Sequence, residues 1–247
     1  MIQLADLIQE KTQPDGSAFD FKVLAADIHN AQGKIETAYK AYLDLLDQPD
    51  GKTPRTYFHL QHQIGLCALK LGYPDVSVSA LQEAVLVDPD NLDARHTLCE
   101  AFAAADMSEE SLAAAKATLQ LAPTELDNVL WYSGFCSKNG NEREAVQVLK
   151  DTLYLLPDEQ ALYLALARAY LNMGYTAETK ETLNRMLEGE DISTEEYVKV
   201  ANIYLHMNES AEATRIIQQA IANNPQPDFA EGRELIYTVL RLGDGAS

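Results

Sequence analysis

The sequence predicts an all-α protein built from tandem helix pairs, and three observations carry that expectation. Prolines recur at Pro89, Pro123 and Pro157, each 34 positions after the last, and Pro225 lies 68 positions further on, or two periods. A helix stopped again and again at one phase marks an internal repeat. Small residues form the second pattern, at the eighth position of each unit (Gly65, Cys99, Ser133, Ala167, Ala201) and at the twentieth (Ser77, Ser111, Ala145, Thr179, Ala213). Small groups there let two helices approach closely. Third, Gly72, Asp106, Gly140, Gly174 and Asn208 fall between the two helices of successive units. These residue types tolerate left-handed backbone and so end a helix.

Taken in order, residues 1–13 predict a short amphipathic helix through Ile2, Leu4, Leu7 and Ile8. Residues 12–18 contain Pro14, Asp15 and Gly16 and read as a turn or linker, so 1–18 stands outside the array. A degenerate first repeat spans 19–52, with Gly33 at its turn and Ala38 at the tight contact beyond. Residues 48–57 exceed the period by five and predict a mobile loop. From Phe58 the register is strict, as 58–91, 92–125, 126–159, 160–193 and 194–227. Ile64, Leu98, Tyr132, Leu166 and Val200 supply the larger core contacts of the first helices. Leu81, Leu149, Leu183 and Ile217 supply those of the second, where Ala115 departs. Residues 228–242 predict a C-terminal capping helix over the last repeat, as repeat arrays require, and 243–247 a disordered tail.

Composition narrows the function. Apolar residues make up 47% of the 247, ample for a core. No apolar run approaches the roughly 20 residues of a membrane span, so no membrane insertion is expected. The start MIQLADLIQEK lacks a basic segment and is a poor secretory signal. Cys67, Cys99 and Cys136 form no metal-like cluster and cannot pair completely, which suggests inert thiols in a reducing cytoplasm. The net charge of −19 repels phosphate backbones and anionic lipid, so no nucleic-acid partner is expected. That acidity has two readings: solubility alone, or steering of a basic or amphipathic polypeptide.

The pattern resembles the tetratricopeptide repeat, whose consensus over 34 residues runs W-x2-L-G-x2-Y, then A-x3-F, then proline. Gly65, Ala68, Leu81, Ala84 and Pro89 stand in phase in 58–91, and Ala201, Tyr204, Ala213, Ala220 and Pro225 in 194–227. The resemblance covers about residues 19–242, with Asp191 in place of the proline and bulky Met186 in place of alanine as departures. It implies a right-handed α-α superhelix, or solenoid, of about six helix pairs whose first helices line a concave groove.

The resemblance also implies which side chains face that groove. Asp27, His59, His62, His96, Glu100, Lys138, Arg168 and Asn202 fall at groove positions, and Trp131 and Lys199 adjoin them. Acidic groups dominate the early repeats, whereas Lys138, Arg168 and Lys199 sit late, an arrangement that would favour one direction for a bound peptide. The Lys and Asn clamp that some members use for a terminal carboxylate is out of register, because Lys199 and Asn202 stand at positions 6 and 9. His59, His62 and His96 lie on successive first helices, about 10 Å apart between repeats, too far for a ready-made zinc site. Trp131 reads either as a binding anchor or as packing between repeats. No phosphate loop, nucleophile elbow, HExxH or paired-cysteine motif is present, so neither catalysis nor a cofactor has a candidate.

The function expected is therefore a non-catalytic protein–protein interaction scaffold that binds a peptide or protein segment in the groove. Two other readings stay open. One is a cytoplasmic chaperone for a secreted or aggregation-prone substrate, and the other is a self-assembling scaffold, a homo-oligomer.

Overall fold

The computed structural model describes residues 16–189 and 192–223. Expectations for a helix at 1–13, a cap at 228–242 and a tail at 243–247 lie outside them. Twelve α-helices, one short 3-10 turn and no strand are present among the described residues. The helices alternate in pairs: α1 (Gly16–Ala31) with α2 (Ile35–Leu46), α3 (Pro54–Leu71) with α4 (Pro74–Val87), and α5 (Leu92–Ala104) with α6 (Ser108–Leu121). Then come α7 (Leu126–Lys138) with α8 (Glu142–Leu155), α9 (Gln160–Asn172) with α10 (Thr176–Leu187), and α11 (Thr194–His206) with α12 (Ser210–Asn223). The chain divides after Pro123 into two units, the first holding α1–α6 and the second α7–α12.

Each pair is closed by the same backbone device. Gly33, Gly72, Gly140 and Gly174 have φ of 74–78°, and Asp106 and Asn208 adopt 59° and 60°. The left-handed residue turns the chain so that the next N–H reaches back five residues to a helix carbonyl. Lys34 donates to His29 at 2.9 Å, Tyr73 to Ala68 at 2.8 Å and Met107 to Phe102 at 2.9 Å. Asn141 donates to Cys136 at 2.8 Å, Tyr175 to Tyr170 at 2.9 Å and Glu209 to Tyr204 at 2.9 Å. In all six turns a carbonyl that the helix end would leave unpaired is satisfied in this way.

The small residues do more than permit contact. Ser77 and Ser111, on second helices, donate their hydroxyls at 2.8 Å to the carbonyls of Gly65 and Cys99 on first helices, whereas Thr179 donates to Tyr175 O beside its own helix at 2.8 Å and only approaches Ala167 O, at 3.5 Å. A serine hydroxyl therefore ties α3 to α4 and α5 to α6 in an otherwise apolar seam. In the pair α3–α4 a Cβ added at Gly65 would lie 2.9 Å and 3.1 Å from the methyls of Leu81 and closer still to its Cγ.

In the first unit, Phe19, Tyr42, Leu45, Leu60 and Ile64 form one buried cluster, and Leu81, Leu98 and Phe102 belong to the next. In the second, Leu183, Met186, Tyr197, Tyr204 and Ile216 join a single cluster. Bulky Met186, only 1% exposed, is accommodated there. Within each unit the main contacts of a helix are with its sequence neighbours, and first helices also meet the next first helix, as in α3 with α5 or α7 with α9.

Two local expectations are corrected. Helix α1 begins at Gly16, so 16–18 is helical rather than linker. The segment 48–57 is not a loose loop, because Pro49–Lys52 forms a 3-10 turn and Pro54 opens α3. Gly51 is buried in that turn, where a Cβ would strike the Leu45 carbonyl and lie 3.1 Å from Leu46 Cα. Both prolines sit at the start of a helical turn, where the missing N–H costs nothing.

Candidate functional site

The first unit gathers polar side chains where α1 meets α3. Asp27 Oδ1 accepts from the Tyr42 hydroxyl at 2.7 Å and lies 3.0 Å from His59 Nε2. The His59 ring stands edge-on to Tyr42, centroids 6.3 Å apart. Asn30 donates to Gln63 Oε1 at 2.9 Å across the same helices. Burial pushes the Tyr42 phenol far above its ordinary range, and the Asp27 carboxylate it donates to pushes the same way. Tyr42 thus stays a neutral donor that anchors Asp27 from below.

His62, one turn beyond His59, is half-buried against Phe58, and its Nε2 is buried without a hydrogen-bond partner. Burial holds its imidazole below the usual histidine range; His59 adds to that shift and Asp93 opposes it. The unfolded chain then takes up a proton at a pH where the folded chain does not. Stability contributed by neutral His62 is complete above about pH 6.5 and is lost as pH falls through that value. Urea midpoints at pH 7.5 and 5.5 are expected to differ less in His62→Gln than in the parent. An undiminished difference would remove His62 as the cause.

The second unit carries a cleft of about 410 Å³ on its first-helix face. Leu130, Gly134, Ala161, Leu164, Ala165 and Ala169 give it an aliphatic floor of mostly small groups. Arg168, Asn172 and Lys199 supply its longer polar side chains, beside the hydroxyls of Ser133 and Ser137. Arg168 is exposed and makes no hydrogen bond or ion pair among the described residues. Lys199 is held by Glu195 at 2.6 Å, one turn earlier on α11.

Residues 58–91 match the family model of the tetratricopeptide repeat. The fold is that of the tetratricopeptide repeat. A tetratricopeptide repeat protein from Parabacteroides merdae superposes with a TM-score of 0.60 at 15% identity, covering 95% of this chain and 90% of its own. A putative kinesin light chain of nearly identical TPR-like repeats from Podospora anserina gives 0.56 at 17% identity, with 71% and 96% covered. The protein MamA gives 0.53 at 18%, with 70% and 92% covered. No curated protein sequence matches significantly.

The tetratricopeptide architecture brings some expected groove residues together and separates others. Asp27 and His59 bond directly, and Arg168 and Lys199 share a cleft. His96 is half-buried on α5, and Glu100 is exposed one turn further on. Trp131 is half-buried and stacks on Phe135 with centroids 5.0 Å apart and planes at 20°. Lys138 is exposed at the end of α7, outside the cleft lining, and the Asn202 amide donates to Val198 O of its own helix at 3.0 Å. The three cysteines are buried free thiols, and burial pushes Cys99 up to about 12. Among the described residues no group of three His, Cys, Asp or Glu side chains converges as metal ligands, and no helix is long and apolar enough to cross a membrane.

Tyr42 and Asn30 are partners the sequence reasoning missed. Tyr42 occupies the second-helix position that Leu81 fills in the next tetratricopeptide repeat. A hydroxyl at an otherwise aliphatic position, with Asp27 on the paired helix, was the available signal.

Proposed function

We propose that this chain is a non-catalytic interaction scaffold that binds a segment of a partner protein on the first-helix face of its second unit. The observation that carries the reading is the unpaired, exposed Arg168 at the rim of an aliphatic cleft, in a chain of net charge −19. A guanidinium left open in so acidic a molecule fits recognition of a partner's carboxylate, with two parallel N–H bonds available. Small floor residues admit the partner's backbone, while Asn172 offers an amide. The helices hold these groups in place before binding, so the partner supplies most of the ordering entropy. Lys138 would extend the cationic edge on α7. In the first unit, exposed Glu100 and the Asp27–His59 pair would select a basic side chain instead. Three buried thiols support a reducing, cytoplasmic setting.

The test is charge reversal. Peptides selected from a display library on the parent protein are expected to bind Arg168→Glu/Lys199→Glu at least about tenfold more weakly, the loss of one charge-assisted contact. Arg168 is exposed, and Lys199→Glu replaces the solvent-facing ion pair with Glu195 by a like-charge pair one turn apart, so thermal unfolding should shift only slightly. Equal affinity of parent and variant would take these residues out of the site. A concentration-dependent dimer in sedimentation, abolished by the same reversal, would show that the segment bound belongs to a second copy.

A further inference from the structure

Helix α7 carries a glycine that its own fold does not require. Gly134 stands exposed inside the helix, and a Cβ built on it would meet no atom within 4 Å. A helix interior is unfavourable for glycine, and alanine would fit there freely. Gly65 is different, because a side chain there would strike Leu81. The 34-residue phase places Leu66, Glu100, Arg168 and Asn202 at the position of Gly134 in the other strict repeats, all with longer side chains. The omitted side chain leaves room in the cleft of the first-helix face, which Gly134 helps to line.

Across that cleft from Gly134, the lining residues of α9 fall into two rows of four-residue spacing. Ala161, Ala165 and Ala169 form a low row, and Leu164, Arg168 and Asn172 form a high one beside it. A low row beside a high one is a furrow in which another helix seats a ridge of its own side chains. Backbone chemistry selects the same occupant. The cleft walls are helices, whose N–H and C=O groups bond within themselves and offer no strand edge. An extended segment pressed on the aliphatic floor would lose water from its backbone without gaining partners there. Ser133, at that floor, already donates to Leu130 O at 2.9 Å. A helix satisfies its own backbone and brings side chains alone.

Charge adds the second requirement. Arg168 and Lys199 line the cleft, and no carboxylate joins them in the lining among the described residues. Lys199 is held by Glu195, which leaves the Arg168 guanidinium for an acidic group of the occupant.

We propose that the segment bound on this face is an amphipathic α-helix carrying an acidic residue, seated in the α9 furrow and drawn close to α7 at Gly134. Such a helix presupposes binding at the first-helix face proposed for the scaffold, and it gives the partner its class. Gly134 sets how closely the helix approaches, and Arg168 fixes its register.

The probes are the library-selected peptides whose affinity falls on Arg168→Glu/Lys199→Glu. Fluorescence anisotropy compares each one with alanine and with proline at a central position where alanine is tolerated. Proline is expected to weaken binding at least tenfold, because it breaks a helix that alanine keeps. Gly134→Leu is expected to weaken the same peptides at least tenfold, while its thermal midpoint stays at or above that of the parent. Lost binding in a protein no less stable is a result that a merely structural glycine would not give. Peptides that respond to the charge reversal yet tolerate the proline, or bind Gly134→Leu as well as the parent, would keep the site and overturn the helical partner. A library in which no peptide responds to the charge reversal would remove the site and the helical partner with it.

Discussion

Gly65→Val is expected to lower the unfolding free energy by about 3 kcal/mol, the upper part of the range for overpacking a filled core. The new Cβ would fall within the contact radius of Leu81, which is fully buried. Valine gains a few tenths in helix propensity over glycine, too little to offset the clash. Leu81→Ala alone should cost about 2–5 kcal/mol through the cavity it leaves. The double variant is expected to lose less than the sum of the two, because each change relieves the other. Urea unfolding followed by circular dichroism measures all four corners of the cycle. Strict additivity would show that the close approach of α3 and α4 is not set by this pair. The next repeat makes the exchange naturally, with larger Cys99 at the glycine position and smaller Ala115 at the leucine position, both fully buried.

Asp27→Ala should cost about 2 kcal/mol, because it leaves the Tyr42 hydroxyl without an acceptor in a fully buried side chain. Tyr42→Phe should cost about 1 kcal/mol, since Asp27 keeps His59 and remains about a third exposed. In the Tyr42→Phe background, the aspartate substitution is expected to become nearly neutral. Thermal melts of the two single variants and the double decide the matter. A full cost for Asp27→Ala in that background would mean that the carboxylate acts through His59 rather than through the tyrosine.

Much of the fold was legible in the sequence because the repeat writes the same physical demand six times. Left-handed turns need Gly, Asp or Asn, and Gly33, Gly72, Asp106, Gly140, Gly174 and Asn208 all adopt positive φ. Tight helix pairing needs small groups, and positions such as Ser77 and Ser111 are fully or almost fully buried. Departures from the period were harder to read. Residues 48–57 looked like a loop because Pro49, Gly51 and Pro54 are turn formers, yet each fits the start or tight core of a helical turn. Site geometry was less legible still. Arg168 and Lys199 lie 31 positions apart and share a cleft because first helices stack, which periodicity predicts. The Tyr42–Asp27 bond depends on side-chain reach, which periodicity does not encode. Trp131 stacking on Phe135 is an i, i+4 contact within α7, open to view in the sequence once the helix was assigned.

The main contacts within each unit join adjacent and next-but-one helices. Assembly of either unit therefore requires no long chain closure, and the search for partners is short at every step. A nucleus formed at any one hairpin serves as template for its neighbour, so each unit grows hairpin by hairpin, as a crystal adds layers, instead of condensing about a centre.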